Sequence, residues 1–308
     1  MTREDFIFNG SGDVKLHGAM WLPQGKVRAI LQITHGMTEH IGRYEALAEV
    51  LTKADFAICG FDLRGHGLNE SELNIATLGK EGWERSITDM RIVHGIMQSK
   101  YPDVPHFMLG FSLGSFLLRE YLARHSKGIA GAIIAGTGHQ PGGLLEIIKM
   151  VVMTQIWKNG FDKTTPLVRK LSFETYNKKF APTKTDFDWL CSDEEQLALY
   201  LNDDGCRRDI SSGLFWQLLA SMKRTGDKHA LFGWNKEMPV MLMSGTDDPV
   251  GDNTKGVRQV FEAMEKRGFK DVKIALYPGA RHDIFHEFNS GIANRVMDEI
   301  RRWMEERI

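Results

Sequence analysis

Phe107-Met108-Leu109-Gly110-Phe111-Ser112-Leu113-Gly114-Ser115 starts as an apolar strand, passes through G-x-S-x-G, and runs into the amphipathic pattern Phe116-Leu117-Leu118-Arg119-Glu120-Tyr121-Leu122. Strand, sharp turn and helix in that order are the context a serine nucleophile elbow needs. Gly110 and Gly114 let strand and helix approach closely around a strained serine backbone, and the strain exposes the hydroxyl. Glycine and serine are common residues, so the motif alone also fits an ordinary strand–helix turn. The rest of the chain decides between the two.

On either side of this stretch the chain alternates strands with helices. Ile7-Phe8 and Val14 to Leu22 predict an N-terminal hairpin around the turn Asn9-Gly10-Ser11-Gly12. Short apolar runs predict strands at 29–34, 56–61, 106–109, 131–135, 239–244 and 272–277, and helical periods fall at 43–54, 83–99 and 293–306. This alternation implies right-handed crossovers and a mostly parallel α/β sheet flanked by helices. Residues 139–235 break the pattern, read as mostly helical, and carry Trp157, Trp189, Trp216 and Trp234. A structureless loop of that length is implausible. The expected organisation is a core made of 1–138 and 236–308 with a helical cap, 139–235, inserted over the sheet's C-terminal edge, where open α/β sheets bind ligands. Most of the cap's aromatics should build its own core, and a few should line an apolar pocket.

Composition narrows the function classes. The chain has 308 residues and a formal net charge of −1, with no basic stripe, so nucleic acid is not an expected partner. A chain of this length buries a sizeable core without a metal or disulfide staple. Met1-Thr2-Arg3-Glu4-Asp5 opens without an apolar leader, so no signal peptide is expected. No apolar stretch is long enough to span a membrane. Three cysteines, Cys59, Cys191 and Cys206, fit a reducing cytoplasm, with Cys59 as a small core residue and a Cys191–Cys206 disulfide as the alternative to free thiols. A monomer or homodimer is expected. Leu144 to Met153 is apolar enough to touch a membrane or lipid droplet, but is read in the first place as packing on the core.

A serine hydroxyl is a weak nucleophile and needs a base. Two further segments leave the ends of predicted strands: Gly245-Thr246-Asp247-Asp248-Pro249-Val250 and Tyr277-Pro278-Gly279-Ala280-Arg281-His282-Asp283. In a parallel sheet all three would converge at one edge. Ser112 would attack an ester carbonyl, His282 would take its proton and return it to the leaving alcohol, and Asp248 would orient the imidazole. Two adjacent acids in a turn cannot both face one ring, so Asp247 is read as solvated or turn-bonding. His286 reads as a partly exposed polar residue. The developing oxyanion needs fixed donors. Leu113 N–H, at the head of the helix, is one. The loop Thr34-His35-Gly36-Met37-Thr38-Glu39-His40 supplies the other through Met37 N–H, with Gly36 letting the backbone curl inward. The alternative for this loop is a plain strand–helix turn capped by Thr38.

His35-Gly36-Met37-Thr38-Glu39-His40-Ile41-Gly42-Arg43-Tyr44 resembles the H-G-x-x-E-H-x-x-R-Y segment of the monoacylglycerol lipase and lysophospholipase group of α/β-hydrolases, also described as serine aminopeptidase-like. Asp62-Leu63-Arg64-Gly65-His66-Gly67 resembles its D-x-R-G-H-G loop, Gly110 to Gly114 its elbow, Gly245 to Val250 its G-x-x-D-P-V acid segment, and Tyr277 to His282 its Y-x-G-A-x-H segment. Asn202 to Cys206 is similar to its cap stretch N-D-P-x-C. The resemblance spans nearly the whole chain and is weakest in the cap. It implies an α/β-hydrolase fold, a helical lid, and hydrolysis of carboxylic esters of monoacylglycerol or lysophospholipid type. It also favours Asp248 over Asp247. Departures at Leu68, with Asn69 and Ser71 nearby, and at Gly205 bear on substrate preference rather than on the triad.

Arg64 and His66 are read as fixing a tight loop, and His35, Glu39 and His40 as bracing the oxyanion loop. Gly36, His139 and Trp216 are the expected substrate-contacting residues. No cofactor is expected, and no H-x-x-E-H or comparable spacing suggests a metal. Other readings are a peptidase or amidase, a thioesterase, or a ligand-binding homologue without catalysis.

Overall fold

The computed structural model describes residues 1–69, 75–206 and 209–308. Strands β1 (Thr2–Asn9), β2 (Lys15–Leu22), β3 (Ala29–Thr34), β4 (Phe56–Phe61), β6 (His106–Phe111), β7 (Gly131–Ala135), β9 (Val240–Gly245) and β10 (Val272–Tyr277) form one eight-stranded sheet in the order β1-β2-β4-β3-β6-β7-β9-β10. Two-residue strands β5 (Ile75–Ala76) and β8 (Asp209–Ile210) pair separately in parallel. β1–β2 and β2–β4 are antiparallel, and the strands from β4 to β10 run parallel. The chain lays β4 on one side of β3 and then returns to place β6 on the other. That reversal is a topological switch point, and it opens a crevice at the C-terminal ends of β3 and β6.

Apolar runs on the inner strands are buried throughout because helices cover both faces. On β9, Val240 and Leu242 join the core cluster that holds α2 (Gly82–Lys100), α3 (Leu113–His125) and α9 (Lys255–Lys266). Met241 and Met243 join the opposite cluster with α1 (Glu45–Thr52) and α10 (Ile292–Glu305). The alternation follows the two-residue period of a strand. Helix α9 is absent from the sequence expectations. Its buried Gly256, Val257, Val260 and Met264 are spread among charged residues, which hides the stripe. Cys59, Cys191 and Cys206 are all buried free thiols, so the disulfide alternative does not hold.

Between β7 and β9 lie α4 (Gly142–Asn159), α5 (Pro166–Arg169), a π turn at Lys170–Glu174, α6 (Thr175–Asn177), α7 (Glu194–Asn202) and α8 (Ser212–Gly226). Local chemistry starts three of these helices. Thr165 caps α5 with Pro166 behind it, Asp193 caps α7 through Glu195 and Gln196 N–H, and Ser211 caps α8 through Leu214 N–H. α8 packs on α3 and on α4. α4 buries Leu145 and Val152 but leaves Leu144, Ile147, Met150, Met153 and Trp157 exposed, the last at 85%. Core packing therefore accounts for little of its apolar surface. No helix among the described residues is long and apolar enough to cross a membrane.

Two buried histidines carry a stability prediction. Burial lowers His35 and His106 from 6.5 to about 3, with neighbouring His94 adding to the effect at His106. Between pH 6.5 and 3 the unfolded chain therefore binds more protons than the native one. Stability is complete above this window and falls with pH inside it, by about 1.4 kcal/mol per pH unit for each histidine. Urea midpoints taken at about pH 7.5 and 5.5 should differ accordingly, and His106→Met should remove about half of the difference. Equal midpoints would contradict two neutral buried rings.

Candidate active site

β6 ends at Phe111 and α3 begins at Leu113, so Ser112 alone makes the turn. Its backbone sits at φ 50°, ψ −116°, a conformation rare and costly for a residue with a Cβ. Ser112 N–H donates to Ala135 O at 3.0 Å, and Ser115 N–H and Oγ donate to Ser112 O at 2.9 and 2.6 Å. The two glycines of the motif are required by space. A Cβ at Gly110 would lie 2.4 Å from Gly114 O, and one at Gly114 would lie 2.0 Å from Thr34 O. The elbow is thus pressed against the end of β3.

Asp248 and His282 follow β9 and β10, whose ends align through the Gly245–Tyr277 pair. His282 Nδ1 lies 2.9 Å from Asp248 Oδ1, which also accepts Val250 N–H at 2.8 Å. Both residues are buried. His282 Nε2 and Asp248 Oδ2 are buried without a hydrogen-bond partner among the described residues. Asp247 points elsewhere, pairing with Lys179 Nζ at 3.1 Å on the surface. A charged carboxylate at Nδ1 leaves the opposite nitrogen free to take a proton, which is what an activated serine requires.

The loop after β3 is held by the residues expected to brace it. His35 Nδ1 donates to Gly36 O at 2.7 Å, and His35 Nε2 accepts Leu63 N–H at 2.8 Å, as a neutral ring must. Glu39 accepts from Gly36 N–H, from Tyr44 OH at 2.9 Å and from Arg43 Nη1 at 2.7 Å. Gly36 therefore spends both its amide and its carbonyl on the loop. A Cβ there would crowd Glu39 Oε1 and Phe111, so Gly36 makes room rather than offering a contact of its own. Met37 N–H is not engaged by any of these bonds. Thr38 does not cap a helix. It takes φ 59°, donates from Oγ1 to Met37 O at 2.6 Å and accepts from Tyr200 OH at 2.9 Å. His40 caps the following 3₁₀ turn instead.

Arg43 continues this network by donating to Asp283 Oδ2 at 2.9 Å, and His286 Nδ1 lies 2.9 Å from the same oxygen. Burial pushes Asp283 up, but His286 and Arg43 outweigh it and hold the carboxyl well below the usual range. His286 is partly exposed as expected, with 11% of its side chain reaching the surface, and also stands beside this network. The D-x-R-G-H-G loop is fixed in a similar way. Asp62 accepts Ile41 and Leu68 N–H, Arg64 is bidentate to Asp89, and His66 Nδ1 bonds Arg64 O. Leu68 is 70% exposed, and Ser71 lies outside the described residues.

The other two expected ligand contacts have these surroundings. His139 lines a cavity of about 220 Å³ with Arg119, Thr225, Leu231 and Gln259, and none of Ser112, Asp248 and His282 lines it. Trp216 packs between α8 and α4 with Lys149 Nζ 5.1 Å from its ring centre. The indole against the His282 ring is Trp189, with centroids 5.2 Å apart. No spacing in the sequence singled it out. Among the described residues, His40, Asp203 and Cys206 each bring one donor atom within 4.8 Å of the others. His40 Nδ1 accepts Gly42 N–H, so Nε2 holds the proton and donates it to Asp203 at 2.8 Å. A metal at Nε2 would have to break that arrangement.

Known proteins share this layout. The monoglyceride lipase of Rattus norvegicus is 25% identical over 292 residues, covering 94% of this chain and 86% of that protein. The monoacylglycerol lipase of Mycolicibacterium smegmatis is 23% identical over 312 residues, covering 98% and 97%. A thermostable carboxyl esterase from Bacillus coagulans, solved in complex with glycerol, superimposes with a TM-score of 0.91 at 25% identity, over 100% of this chain and 99% of that one. The mostly parallel sheet with helices on both faces is the α/β-hydrolase fold. A family model for serine aminopeptidase, S33 matches residues 25–289, and the chain belongs to that family.

Proposed function

We propose that the protein is a serine hydrolase of carboxylic esters, with monoacylglycerols or lysophospholipids as its substrate type. The observation that carries this reading is the His282–Asp248 contact of 2.9 Å at the sheet edge where Ser112 is held at φ 50°. Ser112 Oγ attacks the ester carbonyl as His282 Nε2 takes its proton. The oxyanion is met by Met37 N–H from the braced loop and by Leu113 N–H, which heads α3 without an acceptor in its own helix. His282 returns the proton to the leaving alcohol, and an acyl-enzyme remains. A water then loses its proton to His282 and attacks the acyl carbon; as the bond from that carbon to Ser112 Oγ breaks, His282 returns the proton to the serine oxygen, which releases the carboxylic acid and restores both residues.

Residues 139–235 act in this reading as a cap over the core. The exposed apolar side chains of α4 suit transient contact with a lipid surface. Three free thiols fit a cytoplasmic location. The names of the relatives support the monoacylglycerol assignment, and the Bacillus coagulans esterase was solved with the alcohol such an ester would release. The test is a series of 1-monoacylglycerols and p-nitrophenyl esters from two-carbon to sixteen-carbon acyl groups, with aminoacyl anilides alongside. kcat/KM should rise by about tenfold or more from acetyl to a medium chain, since each buried methylene contributes about 0.8 kcal/mol. A steady fall from acetyl upward would contradict a lipid substrate, and faster anilide turnover would favour the peptidase.

A further inference from the structure

We propose that Trp189, supplied by the helical insertion, is a positioning residue for the His282 imidazole; this rests on the reading of His282 as the base for Ser112. The His282 ring is flanked by two aromatic rings. Phe111 lies at a centroid distance of 5.0 Å and an interplanar angle of 35°, and Trp189 at 5.2 Å and 37°. At the ring edge, a Cβ on Gly136 would come within 2.9 Å of His282 Cε1, so that side is closed as well.

Asp248 fixes one atom of the imidazole. A single bond at Nδ1 leaves the ring free to tilt about it, and tilt moves Nε2 off the serine. Aromatic walls remove that freedom and hold Nε2 on line, where small misplacements are costly. They also exclude water, and a π face favours the imidazolium that forms as the serine proton arrives.

Trp189 can serve this way because it does not move independently of the histidine loop. Its backbone N–H donates to Asn177 Oδ1 at 2.9 Å, and its backbone carbonyl accepts His282 N–H at 3.4 Å. Asp283 N–H donates to Leu190 O at 2.7 Å. Glu287 accepts Ser192 N–H and Arg281 N–H, both at 3.0 Å, and the Ser192 hydroxyl. Asp193 Oδ2 accepts Asn289 N–H at 2.8 Å. Behind the indole stand Phe173, stacked at 6.2 Å, and Tyr176 at 5.2 Å. Residues 188–193 are thus clasped to 281–289, and any opening of the insertion must take place elsewhere, or else release the base.

The experiment compares Trp189→Leu and Trp189→Phe with the wild type on p-nitrophenyl acetate and p-nitrophenyl decanoate. Ser112→Ala is run in parallel, and urea midpoints check folding. Trp189→Leu should lower kcat by about tenfold or more, by the same factor on both esters, with KM changed less than about twofold. Trp189→Phe, which keeps a ring, should retain kcat within about threefold. Should leucine collapse the clasp, Trp189→Met fills the space without a ring and takes its place. An unchanged kcat in the folded variant would overturn the proposal. So would a loss confined to KM or growing with acyl length, which marks a substrate wall. A Phe variant as poor as Leu would show that a ring beside His282 is not what matters and overturn the proposal. Wild-type turnover that survives Ser112→Ala would overturn both this inference and the reading beneath it.

Discussion

Replacing Ser112 by alanine is expected to lower ester turnover by about 10⁵–10⁶-fold with the urea midpoint unchanged. Alanine keeps the Cβ, so the backbone conformation at φ 50° costs what it did before. The bonds that fix the turn are made by the backbone: Ser112 N–H to Ala135 O, and Ser112 O from Ser115 N–H and Oγ. All survive the substitution. What disappears is the one oxygen placed to attack. Residual turnover would come from oxyanion donors and binding alone, about 10³–10⁴ above the uncatalysed reaction. Turnover within about tenfold of wild type would mean that another group is the nucleophile.

Asp248→Asn is expected to lower kcat by about 10⁴-fold, because neither orientation of the amide can replace the carboxylate. With its oxygen toward His282, asparagine keeps the tautomer but brings no charge to balance the imidazolium in a buried site. It also buries an NH₂ where Asp248 Oδ2 has no partner among the described residues. With its nitrogen toward His282, it loses the Val250 N–H bond and forces the ring proton onto Nε2, where it blocks proton transfer. Asp247→Asn is the control. That carboxylate is 45% exposed and pairs with Lys179, and its loss should leave kcat within about twofold. Equal losses at both positions would contradict the assignment of Asp248.

The parts of the site that were legible in the sequence are those set by local chemistry. Gly110 and Gly114 announce an elbow because only glycine fits where α3 meets β3 and β6. Each of Ser112, Asp248 and His282 follows an apolar run, and parallel register then puts the three ends side by side. Trp189 was not legible because nothing in its neighbourhood marks it. Its position depends on hydrogen bonds to residues some ninety positions later in the chain, such as those of Ser192 with Glu287. The link from Arg43 to Asp283 was hidden for the same reason. His139 and Trp216 were singled out by residue type and by nearness to the insertion. Neither property says what surrounds a side chain: His139 lines a cavity with Arg119 and Gln259, and Trp216 lies under Lys149 of α4. The run Leu144–Met153 looked like core material, yet the structure leaves most of it facing outward.

Reaction of the purified protein with a fluorophosphonate, followed by peptide mapping, shows whether Ser112 is an activated nucleophile. A single adduct is expected on the peptide that carries Ser112, formed in the wild type and absent from Ser112→Ala. An adduct on another residue, or folded wild-type protein that hydrolyses esters yet takes no label at Ser112, would contradict that expectation.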